Sequence, residues 1–162
     1  MVIGAEIAAE QGRLVDMESR IVQATLGNLV LASVYVPNGG KDYAAKIRFL
    51  GDLVQWAEQL HADGRDVVVC GDLNVAHADI DVHPRERKAG VIGQRPEERD
   101  LFDRLLGTHF VDVARTLSPD NDAMFTWWPP WRNMLAVLLA MQKFVGETRL
   151  GRRAPAVVMA AH

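Results

Sequence analysis

Short β-branched stretches at residues 14–18, 21–26 and 29–36 mark the first part of the chain, and each predicts a strand. Gly27-Asn28 is a two-residue connection that tolerates positive φ, so the second and third stretches should form an antiparallel hairpin. The period then changes. Tyr43, Ile47, Leu50, Leu53, Val54, Ala57 and Leu60 recur at spacings of three and four, which predicts an amphipathic helix over 43–60 stopped by Asp63-Gly64. Val67-Val68-Val69-Cys70 is apolar without alternation, the pattern of a strand buried on both faces of a sheet in an α/β protein. Residues 71–93 are polar and too long for a simple connector, so they read as a functional loop. Pro96 with Glu97 and Glu98 opens a short helix whose inner face is Leu101, Phe102, Leu105 and Leu106. Residues 110–114 read as a short extended piece.

Composition narrows the class without changing this picture. With 162 residues, 49% hydrophobic and 24% charged, the chain is a single globular domain, which excludes collagenous and disordered classes. The lone Cys70 excludes a disulfide framework; in its apolar run it reads as a core residue of a reducing compartment rather than a nucleophile. A net charge of −3 gives no bulk electrostatic case for nucleic acid or membrane. The charge is uneven: residues 1–132 carry 14 basic and 20 acidic side chains, and residues 133–162 carry 4 and 1. The apolar run at 134–141 is too short to span a membrane. The N-terminus has no basic segment of a secretory signal, so a cytoplasmic location is expected.

The sharpest chemical signal is Gly71-Asp72-Leu73-Asn74, directly after the buried run. In an extended backbone, Asp72 and Asn74 project to one face and Leu73 to the core, so a carboxylate and an amide converge where α/β sheets place their sites. Such a pair suits phosphoryl chemistry: the carboxylate orients or deprotonates water, and the amide contacts a phosphate oxygen. The alternative is a turn closed by side-chain to backbone bonds. Tyr35-Val36-Pro37-Asn38-Gly39-Gly40 is a second strand end, with an uncharged phenol and amide suited to a phosphodiester, and again a turn is the alternative. His77, Asp79, Asp81 and His83 read either as a metal cluster or as solvated and capping groups, with no zinc-type spacing. Arg85, Arg87, Lys88, Arg95 and Arg99 form a basic stretch for a DNA backbone or a solvated face balanced by Glu86, Glu97 and Glu98.

In order and spacing these segments resemble the exonuclease III type of apurinic/apyrimidinic endonuclease, within the endonuclease/exonuclease/phosphatase superfamily. The matching segments are Ser33-Val34-Tyr35-Val36-Pro37-Asn38, Val68 through His77, Ala78-Asp79-Ile80-Asp81, Ala89-Gly90 through Arg99, and Phe125-Thr126-Trp127-Trp128. The resemblance implies an α/β fold of mixed, largely antiparallel sheets with flanking helices, a partial version of the family's four-layer sandwich. It implies metal-activated hydrolysis of DNA phosphodiesters, at abasic sites or 3′ ends, by a monomer acting on double-stranded DNA. Asp72 would activate the attacking water, Asn74 would contact the scissile phosphate, and both would lie at a magnesium or manganese ion. Tyr35 would stand beside the scissile phosphate, Asn38 would add a phosphate contact, and Trp127 would wall the pocket for a base-less sugar. The family's metal-binding Glu is expected before the first strand, and its closing Ser-Asp-His after Met134. Residues 1–134 are therefore expected to form a partial domain, followed by a divergent tail, 135–162, that is helical or disordered. The alternatives are an inactive truncated remnant and another phosphodiesterase or phosphatase of the superfamily.

Overall fold

The computed structural model describes residues 20–126 and the strand residues 156–158. Strands β1 (Ile21–Leu26) and β2 (Leu29–Tyr35) form the expected antiparallel hairpin, with Gly27 at φ 61 in its turn. Helix α1 (Tyr43–Ala62) begins at Asp42, whose Oδ1 accepts the Ala45 N–H at 2.8 Å. It ends at Asp63, and Gly64 follows at φ 70, the conformation that terminates helices. The chain then returns as β3 (Asp66–Asp72), parallel to β2, because the connection crosses over through a helix. After a long loop with two short 3₁₀ turns come α2 (Pro96–Gly107), β4 (Phe110–Asp112), α3 (Val113–Leu117) and β5 (Ala156–Val158).

The five strands form one mixed sheet in the order β1-β2-β3-β5-β4. Its antiparallel share is the β1–β2 hairpin, and the other three pairings are parallel. Val30, Ala32 and Val34 on β2 and Val67 and Val69 on β3 are fully buried, in one core with Phe49, Leu50, Leu53, Val54, Trp56 and Ala57 of α1 and Phe102 and Leu105 of α2. On the opposite face, Leu31, Tyr35 and the β1 residues Val22 and Leu26 are exposed, and Val68 and Cys70 are half-buried. The expectation that β3 is buried on both faces is thus corrected, since the helices cover one face.

The piece expected to be extended over 110–114 stops at Asp112. The Asp112 Oδ1 accepts the Arg115 N–H at 2.9 Å and starts α3 instead. The strand expected over 14–18 lies outside the described residues, as does the expected tail apart from Ala156–Val158, which is β5. Among the described residues no helix is long and apolar enough to cross a membrane.

Candidate active site

Because β2 and β3 are parallel neighbours, their carboxyl ends lie side by side, and Tyr35 is in register with Asp72. The Val36 N–H donates to the Asp72 carbonyl at 2.8 Å and extends this pairing past the strand end. Gly71 makes the close approach possible. At its φ of 113, a Cβ would stand 2.2 Å from the Val34 carbonyl oxygen, so no other residue fits beside β2 here.

Beyond Asp72 the backbone is no longer extended. Asn74 has φ 50, and the Asp72 Oδ1 accepts the Asn74 N–H at 2.9 Å, which closes a side-chain turn. The side chains therefore do not project together by strand alternation, although Leu73 is buried as expected. Asn74 is held at three points: this N–H, its Nδ2, which donates to the Val36 carbonyl at 2.8 Å, and its carbonyl, which accepts from Lys46 Nζ at 2.7 Å. The turn alternative is the one this backbone adopts, and both Asp72 and Asn74 belong to it. One N–H of the Asn74 amide is committed to β2, so its Oδ1 and second N–H are what it can present to a ligand.

Tyr35 is half exposed, with the Arg20 guanidinium carbon 5.5 Å from its ring centroid. Asn38 is exposed, and its Oδ1 accepts the Gly40 N–H at 3.3 Å. Both line a cavity of about 480 Å³ whose cations are Arg20, Lys41 and Arg48. Asp72 and Asn74 do not line that cavity; they lie next to it through the strand register. Trp127 lies outside the described residues.

The polar groups of the long loop hold the loop itself. His77 Nε2 lies 2.6 Å from Asp103 Oδ1 and its ring stacks on Phe102. Asp79 pairs with Arg99 at 2.8 Å, and Asp81 pairs with Arg115 and accepts the Ala78 N–H. His83 Nδ1 accepts the Arg85 N–H. These four residues make no metal cluster, and among the described residues no group of three or more His, Cys, Asp or Glu could hold an ion. The basic stretch is also partly internal: Arg87 donates to the Val82 carbonyl, Arg95 to the Gly90 carbonyl, and Arg99 to the Ala76 carbonyl.

Asp72 and Asn74 offer oxygen donors of the kind magnesium prefers. With one carboxylate and one amide oxygen between them, a metal held here would take its remaining donors from elsewhere.

Sequence patterning missed Lys46 and Glu98, which are fully buried and paired at 2.6 Å beneath this turn. A signal for Lys46 was present: it stands three residues after Tyr43 and four before Leu50, on the apolar stripe of α1.

The chain is 31% identical to an exodeoxyribonuclease of Bacillus subtilis over 119 residues, 70% of this chain and 46% of that protein. It is 36% identical over 115 residues to the DNA repair nuclease APEX1 of Danio rerio, covering 70% of this chain and 37% of that one. Among solved structures, an AP endonuclease from Archaeoglobus fulgidus superposes with a TM-score of 0.60 at 26% identity, over 76% of this chain and 49% of that one. The chain thus spans about half the length, or less, of these relatives. Residues 7–137 match the Endonuclease/Exonuclease/phosphatase family. On that match, and on a mixed sheet that sets Tyr35 beside the Gly71–Asn74 turn, the chain belongs to this family.

Proposed function

We propose that this chain carries part of the hydrolytic site of a DNA-repair phosphodiesterase that acts at abasic sites or 3′ ends of duplex DNA. The carrying observation is the register of Tyr35 with Asp72 at adjacent parallel strand ends, with Asn74 locked to both. In this reading the Asp72 carboxylate orients a water molecule and accepts its proton as the water oxygen bonds to phosphorus and the bond from phosphorus to the 3′ oxygen breaks, that oxygen taking a proton from solvent to leave as a 3′ hydroxyl. Asn74 donates its second amide N–H to a phosphate oxygen, and the Tyr35 phenol donates to another as charge develops there. The neighbouring cleft is lined by Arg20, Lys41 and Arg48 together with Asp42 and Asp52, and Arg48 stands 4.0 Å from Asp42, so Arg20 and Lys41 are the cations best placed for the phosphates of a nucleic-acid backbone. Metal dependence, with magnesium or manganese, is part of the proposal through the family and would need donors beyond Asp72 and Asn74.

The test is incision of a duplex containing an abasic-site analogue, and removal of a 3′-phosphate, in the presence of magnesium. The parent chain should exceed an Asp72→Ala control by about 10²–10⁴-fold, the usual contribution of a positioned general base. Parent activity equal to the control overturns the reading. A second reading, duplex binding without catalysis, is favoured by the cleft cations Arg20, Lys41 and Arg48, which stand apart from Asp72 and Asn74 since neither lines that cleft. It predicts duplex binding that weakens steeply with salt, and incision at the level of the control.

A further inference from the structure

The two strand-end turns and the end of the long loop meet on one buried ion pair. Lys46 leaves the first turn of α1 with no solvent exposure, and its Nζ contacts the Asn74 carbonyl at 2.7 Å and Glu98 Oε1 at 2.6 Å. Its aliphatic stem packs beneath the Pro37–Gly40 turn: a Cβ at Gly39 would lie 2.8 Å from Lys46 Cδ. Glu98, equally buried, uses its other oxygen to accept the Gly93 N–H at 2.7 Å and the Arg95 N–H at 3.0 Å. A single ion pair thus touches the turn bearing Asn38, the turn bearing Asp72 and Asn74, and the junction of the loop with α2.

We propose that Lys46, backed by Glu98, is the positioning residue of the Asp72–Asn74 turn, fixing the Asn74 carbonyl and so the directions of both side chains. The inference rests on the proposed hydrolytic role of that turn for its kinetic part only. Three observations support it. Asn74 is in the left-handed region, uncommon for a residue other than glycine, and so needs its surroundings to hold it there. The Lys46 hydrogen bond is the contact that fixes the Asn74 carbonyl, whereas its N–H and amide are held by Asp72 and Val36. Asp72 closes the same turn by accepting the Asn74 N–H, so the carbonyl that Lys46 holds and the candidate carboxylate belong to one local unit. A buried pair of this kind is weak as a source of stability and well suited to specifying one geometry.

The experiment uses the double variant Lys46→Met/Glu98→Gln. It removes both charges together, keeps an acceptor for Gly93 and Arg95, and fills the space of the stem, so what it deletes is the grip on the Asn74 carbonyl. Amide hydrogen exchange is read at Asn74 and at Val69 in the middle of β3. The Asn74 amide should lose protection relative to Val69 by roughly tenfold or more, the size expected when a buried hydrogen bond is removed. In the incision assay kcat should fall by about the same factor while KM stays within roughly twofold, because the turn acts in the chemical step. An unchanged Asn74-to-Val69 ratio in the folded variant, or kcat and KM moving together, overturns the proposal. Lys46→Leu/Glu98→Gln, which again removes both charges and puts a shorter side chain in place of the stem, decides the matter if the first variant does not fold. Its ratio should fall by the same roughly tenfold or more, and a ratio within about twofold of the parent's overturns the role of Lys46. If the parent shows no incision, the hydrolytic reading fails, while the exchange ratio still decides whether Lys46 positions the turn.

Discussion

Gly71 sets the spacing on which the candidate site depends. Its φ of 113 and the 2.2 Å approach of a built Cβ to the Val34 carbonyl leave no room for a side chain unless β2 and β3 separate. Gly71→Ala should therefore destabilise the fold by about 3 kcal/mol or more, as expected where backbone strain and overpacking add. Gly64→Ala is the control: φ is 70 but nothing lies within 4 Å of the added Cβ, so about 1–2 kcal/mol is expected. Urea unfolding of the two variants measures both. At this scale the letters Gly-Asp-Leu-Asn were legible as a strand end followed by a turn. That the glycine serves contact with β2, and that Asn74 is tied to Val36, was not, because Val34 and Val36 are distant in sequence.

Between elements, α1 and α2 are joined at their N-termini outside the core as well as within it. Tyr43, the first residue of α1, donates its phenol to Glu97 Oε1 at 2.9 Å, and the Arg95 guanidinium carbon lies 4.3 Å from its ring centroid. Burial first, and then the Glu97 hydrogen bond, raise the Tyr43 phenol from its ordinary 10.0 to about 12. The Glu97 carboxyl is lowered in turn, mainly by its own backbone N–H and next by Tyr43. A raised phenol binds its proton more tightly in the folded state. Its contribution to stability is thus fully present below about pH 10 and lost as pH rises through about 12. Tyrosinate absorbance of the folded protein should show a step near pH 12, and Tyr43→Phe should abolish it. The period of three and four made α1 legible in the sequence, and Pro96-Glu97-Glu98 did the same for α2. Lys46 was not, because a lysine on an apolar stripe acquires meaning only when Glu98 of the other helix stands opposite.

Across the whole molecule, the sheet has one face under α1 and α2 and one face in which apolar residues remain exposed. Leu53 of α1 has no solvent exposure, whereas Leu26 on β1 is 58% exposed. Leu53→Ala should cost about 2–5 kcal/mol, and Leu26→Ala should stay within about 0.5 kcal/mol, because only the first opens a cavity. Denaturant midpoints at constant m-value read the difference, and equal losses would contradict the one-sided core. The β-branched stretch at 29–36 predicted the strand, and the structure gave it two unlike faces, with Val30, Ala32 and Val34 buried and Leu31 and Tyr35 exposed. Which face meets the helices is set by the β2–α1–β3 crossover, a property of the assembled chain.

The sequence by itself determined the hairpin, the two helices, the position of the buried strand, and the identity of the residues at the strand ends. Each of these is written in local periodicity or in a short motif. Only the tertiary structure decided that Tyr35 stands in register with Asp72, that Asn74 adopts a left-handed turn, and that a buried Lys46–Glu98 pair ties three segments together. Those features arise from contacts between groups far apart along the chain, where the low polarity of the interior forces each buried charge and carbonyl to find a partner.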